Sequence, residues 1–154
     1  MSREAECREF VGEAGPGLLR ALVAGFGRDL GQEAMSETLV YAWTHWDRIR
    51  SLENPAGYLY RVGYRWALRA KTRGRAVVLP EPSQSMTGWV EPGLVRALGS
   101  LTERQRTAVM LIEGYGWTFG EVAALLGLSR GVVETHVRRG LHKLRKELKV
   151  TIDA

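Results

Sequence analysis

Residues 119–138 read FGEVAALLGLSRGVVETHVR, and an apolar set and a basic set share this short stretch. Ala123 is small where two helices must approach closely, and Gly127 stands where the turn between them needs positive φ. Val122, Leu126, Leu128 and Val133 are spaced to fill the core between those helices. Ser129 is placed to cap the second helix, with Leu128 and Val133 able to staple it. The combination predicts a helix-turn-helix; a purely structural helical hairpin is the plainer alternative. The second helix carries Arg130, Glu134, Thr135, Arg138 and Arg139, then Lys143, Arg145 and Lys146. In a helix-turn-helix the N-terminal part of this helix enters the major groove. There arginine pairs bidentately with guanine and glutamate accepts from cytosine N4, while the later cations meet phosphates. A second role open to Glu134 is an ion pair with Arg130 or Arg138, one turn to either side.

A second constellation lies in residues 54–75, NPAGYLYRVGYRWALRAKTRGR. Tyr58, Tyr60, Tyr64 and Trp66 interleave with basic side chains, and Arg61, Arg65 and Arg69 recur at steps of four. Cations for the backbone and flat rings for unstacked bases suit single-stranded DNA. An ordinary core helix with a solvated arginine face fits the aromatics better on spacing alone, with Leu59, Val62 and Trp66 as its apolar stripe.

The elements that must position these groups are helical. Ala34, Met35, Leu39, Ala42, Trp43 and Trp46 recur at three- and four-residue steps, predicting an amphipathic helix over 33–46. Asn54-Pro55 signals a turn and a new helix running to about Thr72. Residues 73–95 contain Pro80, Pro82 and Pro92 among glycines and serines, which suits a linker; Trp89 within it is expected to dock on a neighbouring surface. Thr102 with Gln105, and Thr118 with Glu121, form two capping boxes, with Trp117 and Val122 as a staple and Gly114 closing the helix between. Gly12, Gly15 and Gly17 around Pro16 lack the lysine of a phosphate-binding loop and read as an ordinary loop. The expected fold is all-α: a first domain over 1–72, a linker over 73–95, and a helix-turn-helix domain over 96–150.

Composition bounds the function. With 154 residues and 25% charged side chains the chain is globular, and no apolar run approaches a membrane span. Residues 1–53 carry six basic and nine acidic groups, residues 54–79 six basic and none acidic. Residues 80–126 carry three and five, and residues 127–154 seven and three. Two cationic blocks therefore alternate with acidic ones, which suits a polyanionic partner or simply a soluble surface. The single cysteine, Cys7, excludes an internal disulfide and has no base partner, so it reads as a free thiol. His45, His136 and His142 lack metal-ligand spacing. Asp29, Glu33 and Glu37 share a helical face, and mutual repulsion there favours a surface for a basic partner. No catalytic constellation, metal or cofactor is expected, and the chain reads as cytoplasmic.

Taken together, the stretches SETLVYAWTHWDRIRSLENPAGYLYRVGYRWALR and ALGSLTERQRTAVMLIEGYGWTFGEVAALLGLSRGVVETHVRRGLHKLR resemble the two conserved domains of extracytoplasmic-function sigma factors. The second match is the more specific, through LTERQR, EGYGWTFGEVA, LGLS and RRGLHKLR; the Gly, Arg and Trp content suggests an actinobacterial type. The resemblance implies a promoter-specificity subunit that binds core RNA polymerase through its β′ clamp helices and β flap. Glu33, Glu37, Leu39 and Trp43 would then meet core polymerase. Arg48, Asn54, Tyr58, Arg61, Arg65 and Arg69 would recognise and melt the −10 element, holding an extruded base. Arg130, Glu134, Thr135, Arg138 and Arg139 would read the −35 duplex. An anti-sigma factor is a further partner the resemblance implies. Ser36, Arg65, Val132, Glu134 and His136 depart from the residues usual in the family, which bears on core affinity, melting and −35 preference. Two other readings remain: a stand-alone helix-turn-helix regulator, and a sigma-like protein that docks on polymerase without melting DNA.

Overall fold

A computed structural model describes residues 1–74 and 93–153, with side chains to Lys149, and every element among them is helical. The order is α1 (Arg3–Phe26), α2 (Arg28–Thr44), α3 (Trp46–Ile49), α4 (Pro55–Thr72), α5 (Leu94–Gly99), α6 (Glu103–Val109), a π-helical turn (Met110–Gly114), α7 (Phe119–Leu126) and α8 (Arg130–Asp153). The linker reading begins and ends within described residues, and α5 starts inside it at Leu94. Trp89 and the prolines at 80, 82 and 92 lie outside the described residues.

The expected loop around Pro16 is instead the middle of α1, a correction with a clear energetic cause. A proline inside a helix costs about 3 kcal/mol. Cys7, Leu18, Ala21, Leu22 and Phe26 are all 2% exposed or less on the buried stripe of α1, and each large apolar side chain so buried is worth roughly 1.5–3 kcal/mol. Burial wins, and Pro16 itself stays on the outer side. Burial also pushes the Cys7 thiol above its ordinary pKa, with Arg3 only partly offsetting.

Gly27, at φ 85°, ends α1 and opens α2, so one residue reverses the chain between two antiparallel helices. The helix expected over 33–46 starts earlier, at Arg28, and stops at Thr44. His45 leaves helical geometry and stacks on Tyr41, ring centroids 4.2 Å apart, and Trp46 begins the separate turn α3. Asn54 caps α4, its Oδ1 accepting from Gly57 N at 3.0 Å with Pro55 in the first turn. The buried face of α4 is Leu59, Tyr60, Gly63, Ala67 and Ala70. The expected stripe was thus rotated: Val62 and Trp66 are only half-buried. Gly63 replaces a side chain there because a Cβ would lie 2.6 Å from Thr38 Oγ1 of α2.

The hydrophobic core does not stop at the end of α4. One cluster runs from Cys7 and Leu22 of α1 through Leu59 of α4 to Leu111, Val122 and Val133 of the second half. A smaller cluster, Ala97, Leu101, Val109 and Leu144, holds α5 and α6 on α8. α6 lies against α1, and α7 against α4. At the first contact Arg106, 5% exposed, donates from Nε to Ala24 O at 2.8 Å and from Nη2 to Gly25 O, and from Nη1 to Leu101 O at 3.0 Å. These carbonyls belong to helix ends or the turn beside them, where acceptors lack intrahelical partners and a cation is favoured. Burial holds the guanidinium below its usual pKa, and Glu103 acts against that shift.

Candidate nucleic-acid interface

The helix-turn-helix is assembled by local chemistry. Thr118 Oγ1 accepts from Glu121 N at 3.0 Å while Glu121 Oε1 accepts from Thr118 N at 3.1 Å, completing the cap of α7. Gly127 takes φ 68° at its C-terminus, and Leu128 N donates to Ala123 O at 3.0 Å. Ser129 Oγ then accepts from Val132 N at 3.2 Å to start α8. Val122, Val133 and Val137 are buried between the helices, and Ala123 is 7% exposed at the close approach. Thr102 and Gln105 form the other expected capping box.

Packing that core turns the opposite face of α8 outwards. Arg130, Glu134, Arg138 and Arg139 are exposed, and Thr135 is half-buried with its hydroxyl donating to Gly131 O at 3.0 Å. Arg3–Asp47, Arg50–Glu6 and Lys71–Glu103 form ion pairs, whereas the one open to Glu134 with Arg130 or Arg138 is not made. Its carboxylate is presented with the arginines rather than neutralised by them. Val132, 42% exposed on the same helix, adds an apolar group suited to a thymine methyl; the sequence marked it only as a departure. His136 is held below its ordinary pKa, first by burial, then by Arg104 and Arg139.

The second cationic surface is an open groove of about 290 Å³ between α2 and α4, lined by Glu37, Tyr41, Tyr58, Arg61, Val62, Arg65, Trp66 and Arg69. The helical four-residue step places the three arginines along one wall. The Tyr41 and Tyr58 hydroxyls are 2.9 Å apart, and Arg48 Nη2 donates to each at 2.7 Å. Arg48 also stands 5.8 Å from the Tyr58 ring centroid. The phenol of Tyr58 is raised above its ordinary pKa, first by the bond to Tyr41 and then by burial, so it stays a neutral donor and acceptor.

Five of the six residues expected at the −10 element, Arg48, Tyr58, Arg61, Arg65 and Arg69, therefore gather at this groove. Asn54 does not: its Oδ1 caps α4 and its Nδ2 donates to Ala124 O of α7 at 2.7 Å. Two of the four interleaved aromatics are also removed from any stacking role. Tyr60 is 5% exposed in the core, and Tyr64 packs edge-on against Phe26 under Arg104. Tyr58 and Trp66 remain as groove walls.

On α2, Glu37 and Trp43 face outwards, Glu33 is half-buried, and Leu39 packs against the core. Val40, 64% exposed, shares the outer face with Trp43, 45% exposed, three residues on. The two form an exposed apolar pair at helical spacing, and Val40 escaped notice because a single valine carries no such signal.

Residues 97–146 match the family described as Sigma-70, region 4. Over 83 residues, 54% of its length, the chain is 35% identical to the RNA polymerase sigma factor CarQ of Myxococcus xanthus, and it spans 46% of that protein. In fold it is similar to the sigma factor RpoE from Bartonella quintana, solved in complex with the anti-sigma factor NepR. The TM-score is 0.68 at 22% identity, covering 93% of this chain and 96% of that one.

Proposed function

We propose that this chain is an RNA polymerase sigma factor of the extracytoplasmic-function type, binding core enzyme and directing promoter-specific initiation. The observation that carries the reading is the pairing of two cationic surfaces of different shape in one chain. The exposed face of α8 fits a duplex major groove, and the arginine-walled groove between α2 and α4 fits an unpaired strand. The match of residues 97–146 to sigma region 4 and the likeness to CarQ support it.

In this reading the division of labour follows the residues. Arg130, Glu134, Thr135, Arg138 and Arg139 read the −35 duplex from residues 96–150. Arg61, Arg65 and Arg69 hold the backbone of the melted −10 strand, while Tyr58 and Trp66 offer surfaces to an extruded base and Arg48 fixes the Tyr58 ring. Glu33, Glu37, Leu39 and Trp43, with Val40 beside them, form the face for the polymerase clamp. An anti-sigma factor is the natural inhibitor of such a chain. The test is transcription in vitro with core polymerase and a library of promoter fragments. Promoter-specific transcripts above core alone are expected; none from any fragment overturns the reading.

A further inference from the structure

We infer that Val132 and Glu134 set the base preference of α8 from its two opposite flanks. Glu134 takes the amino hydrogen of a cytosine, and Val132 packs on the methyl of a thymine one base pair away on the other strand. This rests on the sigma-factor reading, in which α8 enters a −35 duplex, and it names the bases selected there.

The bond from Val132 N to Ser129 Oγ, 3.2 Å, places Val132 in the first turn of α8, the part of such a helix that reaches base edges. Val133 is wholly buried and fixes which side of α8 faces inwards. At about 100° per residue, Val132 and Glu134 then project from the two flanks, about 200° apart. Along the axis they are separated by about 3 Å, close to the rise of about 3.4 Å between base pairs. Between the flanks the outward line of the helix is low. A Cβ on Gly131 would meet nothing within 4 Å, and the Thr135 hydroxyl turns back to the Gly131 carbonyl at 3.0 Å. A low centre lets the helix seat deeply, so that a side chain as short as valine reaches a base.

Arg130 and Arg138 stand one turn to either side of Glu134, exposed as it is, and neither pairs with its carboxylate. Carboxylate oxygens only accept, so this group needs a donor on the DNA when it is brought among phosphates. Cytosine N4 and adenine N6 are the amino donors of the major groove. Adenine sets its N7 acceptor beside that amino group, against the second carboxylate oxygen, whereas cytosine sets a C–H there. Cytosine is therefore the base that Glu134 selects. The two flanking arginines offset the repulsion between the carboxylate and the phosphates. Val132 is 42% exposed and offers no polar side-chain atom, and the apolar group of the major groove is the thymine methyl. Because the flanks diverge, the two side chains cannot share a base, and a cytosine's own base pair holds no thymine.

Selection from a randomised duplex library by the full chain at low salt, followed by sequencing, tests the first contact. The wild-type chain is expected to enrich duplexes with a fixed cytosine. Glu134→Gln is expected to exchange it for adenine, since glutamine bonds adenine N6 and N7 together. No fixed cytosine, or the same base from both chains, overturns the inference. In the enriched duplex, replacing the selected thymine by deoxyuridine removes only the methyl. The wild-type chain is expected to lose about fourfold in affinity, the worth of one buried methyl, and Val132→Ser to lose almost nothing. An equal response of the two chains overturns Val132 as a methyl reader. Both substitutions replace exposed side chains, so the fold is retained. No enrichment of any sequence by the wild-type chain overturns the base assignment together with α8 as a reader. The expected enrichment without promoter-specific transcription overturns the sigma reading alone and leaves the base assignment standing.

Discussion

Asn54 and Ala124, seventy residues apart in sequence, are joined by one hydrogen bond of 2.7 Å from the side-chain amide to the backbone carbonyl. The same side chain caps α4 through its other atom. One residue thus starts the helix that carries the arginine row and fastens that helix to the helix-turn-helix.

Asn54→Asp keeps the capping oxygen and loses the amide donor, whereas Asn54→Ala loses both. The alanine variant is expected to be less stable than the aspartate variant by the worth of an N-cap, about 1 kcal/mol. Chemical denaturation of both variants measures it; equal midpoints would show that the cap contributes nothing.

Arg139→Ala is expected to weaken binding to a −35 duplex by about 1–3 kcal/mol if the guanidinium reads a base edge. Fluorescence anisotropy at fixed salt decides it. Unchanged affinity would take Arg139 out of the reading face.

Replacing Arg61 and Arg65 together by alanine should slow strand opening more than it weakens duplex docking, because their groove fits an unpaired strand. Permanganate reactivity of unpaired thymines reports the first step and filter binding the second. Equal loss in both would reduce the row to general phosphate attraction.

Gly127→Ala forces a side chain into φ 68°, at a cost of roughly 1–2 kcal/mol. The added methyl also meets Arg61. A lowered melting temperature is expected, and an unaltered one would mean that the turn relaxes freely.

His136 is neutral more readily in the folded chain than in the unfolded one, because burial and then Arg104 and Arg139 lower its pKa. The unfolded state therefore binds more protons as pH falls below the ordinary histidine value of 6.5. Stability from this group is present above pH 6.5 and is lost as pH falls through the lower folded value. His136→Gln should flatten the fall in unfolding midpoint between pH 7 and pH 5; an identical slope in wild type and variant would reject the assignment.

What was legible in the sequence was local. The boxes at Thr102 and Thr118, the cap at Ser129 and the turn at Gly127 are signals spanning three or four residues, and each formed where its spacing placed it. Pro16 misled because local punctuation was outweighed by apolar burial along α1. Tyr60 misled because a tyrosine beside the exposed Arg61 and one inside the core are the same letter; only the orientation of α4 on α1 and α2 separates them. Arg106 looked like any basic residue of a surface helix, and its true acceptors, the Ala24 and Gly25 carbonyls, lie more than eighty positions upstream. The groove was half legible: the four-residue arginine step announced its wall, but Tyr41 and Glu37 came from another helix.

Cys7 has a chemical consequence. Sealed at 2% exposure with a thiol reluctant to ionise, the chain's only native sulfhydryl is hidden from alkylating reagents while the fold persists. A fluorophore or spin label attached through a cysteine newly placed on the surface will therefore report from that site alone, with no mutation of the natural residue needed beforehand.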